Sequence, residues 1–238
     1  MFTATRRELN AIRRTLAVER WTRSDGALCL VGRRADCRLH LFLTGIGTVK
    51  AQAVSRAALA GQRLDLAISS GFACALVPSG VGDLLIGHDV VVAGGGEPLS
   101  CAAPWRAAAL AAAAAAGVPA RSGRFVTVSD VVWRAVDKGR LAADTGAVGL
   151  DMESAAVGRA AVEAQVPFLV IRAASDLLDE DLPIDFNLFL DPAGWLRGGV
   201  QCLTRPSVLA GLNRLRRQSA VASERLGRFF ERFLDDLA

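Results

Sequence analysis

An α/β layered fold is predicted for this chain, and three observations predict it. Short β-rich apolar runs alternate with helix-patterned segments along the whole length. The 238 residues, 52% of them hydrophobic, suffice for one sizeable core. No Pro/Ser-rich linker divides them, so the chain reads as a single domain over residues 1–238 with no visible internal repeat.

Phe2 to Thr5 is a strand stub, and Arg7 to Val18 reads as a helix with Leu9, Ile12 and Leu16 on one side. Ala27–Val31 and Arg38–Leu43 alternate like a strand pair, then Gly45-Ile46-Gly47 turns into a helix from Val49 to Ala60. Leu64–Ser69 is a buried strand, and Gly82–Ile86 and His88–Val92 read as two more before the Gly94-Gly95-Gly96 loop. The alanine run from Ala107 to Ala116 is the strongest helix former in the chain, and Arg124–Val128 is a strand leading into Ser129-Asp130-Val131-Val132-Trp133. Glu153 falls one turn into an alanine-rich helix ending near Ala164; Phe168–Ile171 is then a buried strand that stops at Arg172-Ala-Ala-Ser175-Asp176. The tail from Leu203 to Leu237 reads as an amphipathic helical extension at about 203–238.

Composition excludes several classes. Five cysteines with no CxxC pair suggest neither a disulfide framework nor a zinc site, and a reduced cytoplasm is the expected compartment. The most apolar stretch, Ala107 to Ala120, is too short to span a bilayer, and no charged-then-apolar leader precedes the domain. Net charge is +4, from 28 basic and 24 acidic residues, and the basic residues are not clustered as in a nucleic-acid reader. Gly45-Ile46-Gly47 imitates a dinucleotide-binding turn, but Lys50 stands where the third glycine belongs, which makes a nicotinamide-dependent oxidoreductase a remote reading. His40 and His88 both fall in strand-like runs and build no triad or metal site. Carboxylates are left to carry chemistry. Ligands of open α/β sheets bind outside the carboxyl ends of strands, so Asp176 is a natural candidate; the plainer reading is a helix N-cap or a loop acid paired with Arg172.

The order of Thr5-Arg6-Arg7-Glu8, Gly45-Ile46-Gly47, Ser70-Gly71-Phe72-Ala73 with Gly82-Asp83, Asp151-Met152-Glu153 and Arg172-Ala-Ala-Ser175-Asp176 resembles the nucleoside phosphorylase/nucleosidase superfamily. Within it, Thr145 to Ser154 and the tail Arg205 to Leu215 resemble the hopanoid-associated phosphorylase group, related to methylthioadenosine/S-adenosylhomocysteine nucleosidases. The resemblance implies a three-layer α/β/α sandwich with a mixed central sheet and cleavage of the N-glycosidic bond of a purine nucleoside. It implies Asp176 as the general acid toward purine N7, its proton retained near neutral pH by burial. Glu153 would accept from the ribose hydroxyls, Met152 would lie against the sugar, and Ile46 and Phe72 would wall it, with Gly71 and Ser175 completing the substrate set. Val132 and Trp133 are candidates for the purine face, Trp133 being equally readable as core or interface packing.

The nucleophile follows from what the site can hold. Ser69 and Phe72 replace the arginine and serine that hold phosphate in the phosphorylases it resembles, whereas Glu8 stands where the hydrolases place a water-activating glutamate. Hydrolysis is thus expected, with no cofactor; inorganic phosphate is the co-substrate if the chain is a phosphorylase, and Arg6 or Arg7 turning inward would supply its charge. The plainer role for Glu8 is a solvated first-turn acid favoured by the helix dipole. Adenosylhopane is the expected substrate, with methylthioadenosine or S-adenosylhomocysteine and futalosine as alternatives. The expected partners are a small-molecule or lipid-linked nucleoside, no nucleic acid, a second copy of the chain in a homodimer, and peripheral membrane contact through Arg214, Arg216, Arg217 and the leucines beside them. A non-catalytic, membrane-peripheral binding protein is the remote alternative.

Overall fold

The computed structural model describes residues 1–24, 26–60, 63–189 and 206–237. Its strands are β1 Phe2–Thr3, β2 Ala17–Ser24, β3 Ala27–Arg34, β4 Cys37–Leu43, β5 Ala67–Ala75, β6 Leu84–Val92, β7 Leu99–Ser100, β8 Ala120–Thr127, β9 Ala147–Asp151 and β10 Phe168–Asp176. Its helices are α1 Arg6–Arg13, α2 Thr48–Leu59, α3 Ala103–Ala115, α4 Ala135–Thr145, α5 Ser154–Glu163 and α6 Pro206–Asp235, with a 3₁₀ turn at Phe186–Phe189.

The expected α/β fold with a mixed central sheet is observed. β10, β6, β8, β9 and β5 follow one another in the sheet, and a β5–β10 pairing joins the two ends of that run; β1, β4, β3 and β2 extend from β5 as a wing. β10 runs parallel to β5, and both are antiparallel to a further neighbour, β6 for β10 and β9 for β5. One helical layer contains α1 and α3, each packed on α6; the other contains α2 and α5, with α5 crossing β5, β6, β8 and β10. The carboxyl ends of β5, β9 and β10 meet in one place, which positions the site.

Several boundaries move for physical reasons. The helix expected to reach Val18 stops at Arg13; Leu16 keeps the apolar spacing but packs beneath Gly32 from outside the helix, and Ala17–Ser24 forms an edge strand whose Val18 and Trp21 are exposed. The strand expected at Leu64–Ser69 begins at Ala67 and continues to Ala75, because its small residues are paired along their length with β10. β10 likewise runs past Ile171 to Asp176, buried at every position. β6 is one strand with a register shift between Gly87 and Asp89, and a Cβ at Gly87 would press on Val170 at 2.9 Å. The alanine helix begins earlier, at Ala103, and the strand after it at Ala120. α4 and β9 were not anticipated. Among the described residues no helix is long and apolar enough to cross a membrane.

The tail helix is observed from Pro206; positions 203–205 and 238 of the expected extension lie outside the described residues. Its second half is core, with Leu226, Phe229, Phe230 and Phe233 fully buried, while Leu209 is exposed on the first half. The three phenylalanines contact one another along α6, and their burial in the main core fixes this half against the protein.

Candidate active site

A cavity of about 430 Å³ opens where the carboxyl ends of β5, β9 and β10 meet the first turn of α1. Glu8, Asp130, Asp151, Glu153 and Asp176 all line it, and among the described residues Arg172 is the only Lys or Arg in the lining. A depression of about 650 Å³ that shares Val128, Asp130 and Val132 with this cavity, and one of about 720 Å³ elsewhere, are lined among the described residues by no buried titratable side chain.

One half of the cavity is organised by Arg172. Its guanidinium is buried on β10, with Nε 2.8 Å from Asp151 Oδ2 and a hydrogen bond to Glu153 Oε2 at 3.3 Å. It also donates to Phe72 O and to Ser69 Oγ, each at 3.0 Å. Burial would push the Arg172 guanidinium down, but Asp151, Glu153 and Glu8 more than offset that and hold it above its usual value. Asp151 ends β9 and is fixed in turn: Thr127 Oγ1 donates at 2.8 Å, the Ser154 N–H donates at 3.0 Å, and the Ser154 hydroxyl bonds its other oxygen.

Glu153 is the N-cap of α5 rather than a residue inside it. Its Oε1 accepts from the Gly47 N–H at 2.9 Å, which ties the Gly45-Ile46-Gly47 turn to the site. Burial pushes its carboxyl up to about 7, with Asp151 and Glu8 adding to the shift and Arg172 opposing it. Glu8 is not a solvated first-turn acid: it is 3% exposed. It closes a capping box with Thr5, whose N–H donates to Oε2 at 2.7 Å, and its Oε1 accepts from the Phe72 N–H at 2.8 Å. A Cβ at Gly71 would collide with that carboxylate, and Gly71 has φ +144°, so glycine is required there on two counts. A carboxylate has about four acceptor sites, so Glu8 retains capacity for a water beyond these bonds.

The other half holds Asp176, the last residue of β10. Its Oδ2 accepts from Lys138 Nζ at 2.9 Å and its Oδ1 from Ser175 Oγ at 3.1 Å. The partner considered from sequence, Arg172, is engaged elsewhere, and the burial expected to retain a proton on Asp176 is accompanied by a buried ammonium. Burial lowers the proton affinity of Lys138, but Asp176 and the Cys74 thiol beside it more than offset this and hold Lys138 above the usual lysine value.

Of the residues named from the sequence, Glu8, Ile46, Phe72, Val132, Met152, Glu153, Ser175 and Asp176 line the cavity. Gly71 does not line it but lies under Glu8. Trp133 is not among the lining residues either; Arg134 sits over its ring at 5.6 Å, and its carbonyl accepts from the Leu182 N–H. Arg6 and Arg7 are exposed and outside the lining, and Arg7 bonds the Arg216 carbonyl instead of turning inward. Sequence reasoning missed Lys138, because α4 buries no other residue and so shows no apolar stripe. It gave Asp151 no role and did not find Leu182, Phe186, Leu215 and Ser219, which complete the wall from two distant segments.

Comparison with known proteins places this geometry. The model of the Phosphorylase superfamily matches residues 2–193. A 5′-methylthioadenosine/S-adenosylhomocysteine nucleosidase of Geobacillus kaustophilus is 32% identical over 183 residues, 68% of this chain and 77% of its own length. The Helicobacter pylori nucleosidase of the same name superposes with a TM-score of 0.74 at 17% identity, covering 99% of this chain and 96% of its own. A futalosine hydrolase structure from Helicobacter pylori gives 0.69 at 18% identity, with coverage of 91% and 96%. The chain belongs to the phosphorylase superfamily and is an enzyme of its nucleosidase/phosphorylase kind.

Proposed function

We propose that the enzyme hydrolyses the N-glycosidic bond of a 5′-substituted purine nucleoside, releasing adenine, with adenosylhopane as the substrate. The observation that carries this reading is the unequal charge of the two halves of the cavity. Breaking the bond leaves positive charge on the sugar and negative charge on the base. Around Arg172 three carboxyl groups, Asp151, Glu153 and Glu8, act on one guanidinium, an excess that favours a cationic sugar. At the other end Lys138 lies against Asp176, so the carboxylate left there after proton donation has a cation beside it while the base gains electrons. Preorganised charge of this kind commonly contributes more to catalysis than any other single effect.

In this assignment Asp176 gives a proton to purine N7, Ser175 and Lys138 hold its oxygens, and Glu153 accepts from the ribose hydroxyls. Met152, Ile46 and Phe72 flank the sugar, and Val132 lies toward the purine. Glu8 removes a proton from the attacking water. Water is favoured over phosphate because, among the described residues, the lining carries five carboxylates and one guanidinium already paired with two of them. Phosphate would need a free cation.

An apolar 5′ substituent is supported by the apolar lining residues Ile46, Phe72, Leu182, Phe186 and Leu215. A cavity of about 430 Å³ is in the range that encloses a nucleoside-sized ligand, so a polycyclic lipid at the 5′ position would extend outside. Exposed Arg214, Arg216 and Arg217 on α6, with Leu209 exposed nearby, support peripheral contact at the cytoplasmic membrane surface. Exposed Ile46 and Val49 beside the cavity support a homodimer. The test is adenine release from adenosylhopane in detergent and from methylthioadenosine. Faster turnover of adenosylhopane is expected; turnover of methylthioadenosine alone would move the assignment to the smaller nucleosides, and turnover of neither would direct the test to futalosine.

A further inference from the structure

Lys138 is fully buried, and all its donors are used. Its Nζ reaches Asp176 Oδ2 at 2.9 Å, Leu177 O at 3.0 Å and Glu180 O at 2.8 Å, three acceptors for the three protons of an ammonium. It is also the only residue α4 buries fully, so beside the partly buried Leu141 and Ala142 this helix carries a charge at its one buried point. Replacing a buried ion pair by apolar residues is commonly neutral or stabilising, so stability alone is a weak reason for such a charge.

The bonds of Lys138 begin a longer seam. Ala135 N–H donates to Asp181 Oδ1 at 2.7 Å, Leu182 N–H to Trp133 O at 2.8 Å, and Val131 exchanges two bonds with the Asn187 amide at 2.7 and 3.0 Å. Residues 131–138 and 177–187 are thereby joined, and both contribute cavity wall, Val131 and Val132 from one and Leu182 and Phe186 from the other. Lys138 is where this seam meets the end of β10.

We propose that Lys138 is a positioning residue for the reaction: it fixes Asp176 Oδ2, anchors the wall that follows it, and stabilises the carboxylate that proton donation leaves behind. The inference rests on Asp176 being the acid. As the glycosidic electron pair moves to the base, the Asp176 O–H proton passes to N7 and the electrons of that bond stay on Asp176, beside the Lys138 ammonium. Solvent reprotonates Asp176 between turnovers. Facing Asp176 are Lys138 from α4 and the Cys74 thiol from β5, with Asp130 and Glu153 across the cavity.

The experiment uses Lys138→Gln, which keeps a donor without the charge, and Lys138→Met, which keeps the length without either. Asp176 is titrated by carboxyl ¹³C NMR, assigned with Asp176→Asn, alongside the pH profile of adenine release. In Lys138→Gln the Asp176 midpoint should rise by about one unit or more, a tenfold gain in proton affinity. The alkaline limb of kcat should move up with it, and kcat should fall about tenfold or more while KM changes little. In the Asp176→Asn background Lys138→Gln should add almost nothing. A folded Lys138→Gln enzyme with an unmoved Asp176 midpoint overturns the proposal, and so does a fully additive double variant. If Lys138→Met does not fold, Lys138→Gln decides. Absence of any nucleoside cleavage by the wild type would count against the functional reading, while the NMR titration would still decide whether Lys138 governs Asp176.

Discussion

Around Arg172 one cation answers to three carboxyl groups, whereas around Lys138 one cation answers to one. Both cations are buried, Arg172 in the middle of β10 and Lys138 on α4 against the last residue of β10, so the difference is in their partners. The Arg172 side gathers acids from α1, β9 and the head of α5, while the Lys138 side is closed by backbone carbonyls of residues 177 and 180. In the first arrangement burial, with Asp151 and Glu8 adding to it and Arg172 opposing it, displaces Glu153 upward to about 7. The second leaves Asp176 matched. A site polarised in this way suits a bond that breaks into a cationic and an anionic half.

The largest effect should come from the matched side. Asp176→Asn should lower kcat by about 10²–10⁴-fold while adenine binding, measured by calorimetry, largely survives. Next, Glu8→Gln should lower hydrolysis by about 10²-fold or more, and added phosphate should not restore turnover. Gly71→Ala should resemble it, because the new methyl displaces the Glu8 carboxylate.

Glu153→Gln separates stability from activity. A carboxyl raised from 4.5 to about 7 in the fold favours the folded state below its unfolded value, and that contribution is lost as pH rises through 7. The variant should therefore gain stability relative to wild type at pH 8, by up to about 3 kcal/mol, less whatever Arg172 loses with its counter-charge. The gain should shrink toward pH 5, as denaturant melts at the two pH values would register. If ionised Glu153 binds the sugar, wild-type kcat/KM should fall below pH about 7, and the variant, weaker in binding, should lose that limb. The smallest effect is expected for Trp133→Ala, which should leave purine affinity within about twofold, as for substitutions away from a site.

Much of the site was legible because its motifs coincide with structural necessities. Gly71 and Glu8 belong to distant motifs, and the structure shows one making room for the other. Asp151-Met152-Glu153 straddles a strand end and a helix N-cap, a junction that places both acids on Arg172. Lys138 was not legible: in a helix with no apolar stripe, one buried lysine looks like any solvated charge. β2 escaped for a related reason: an edge strand exposed on its flanks shows no alternation, so Ala17 and Val18 fall into the helical spacing of Leu9, Ile12 and Leu16 and Glu19 to Ser24 into no element. The strand limits at Ser69 and Ile171 were drawn where apolar residues stop, whereas the β5–β10 pairing carries both strands on through serine, glycine and alanine.

The most direct test of the central claim is identification of the sugar product by NMR after adenine release, with and without inorganic phosphate. The predicted result is free sugar formed at the same rate in both. A sugar 1-phosphate that appears only when phosphate is present would contradict the assignment of water as nucleophile and of Glu8 as its base.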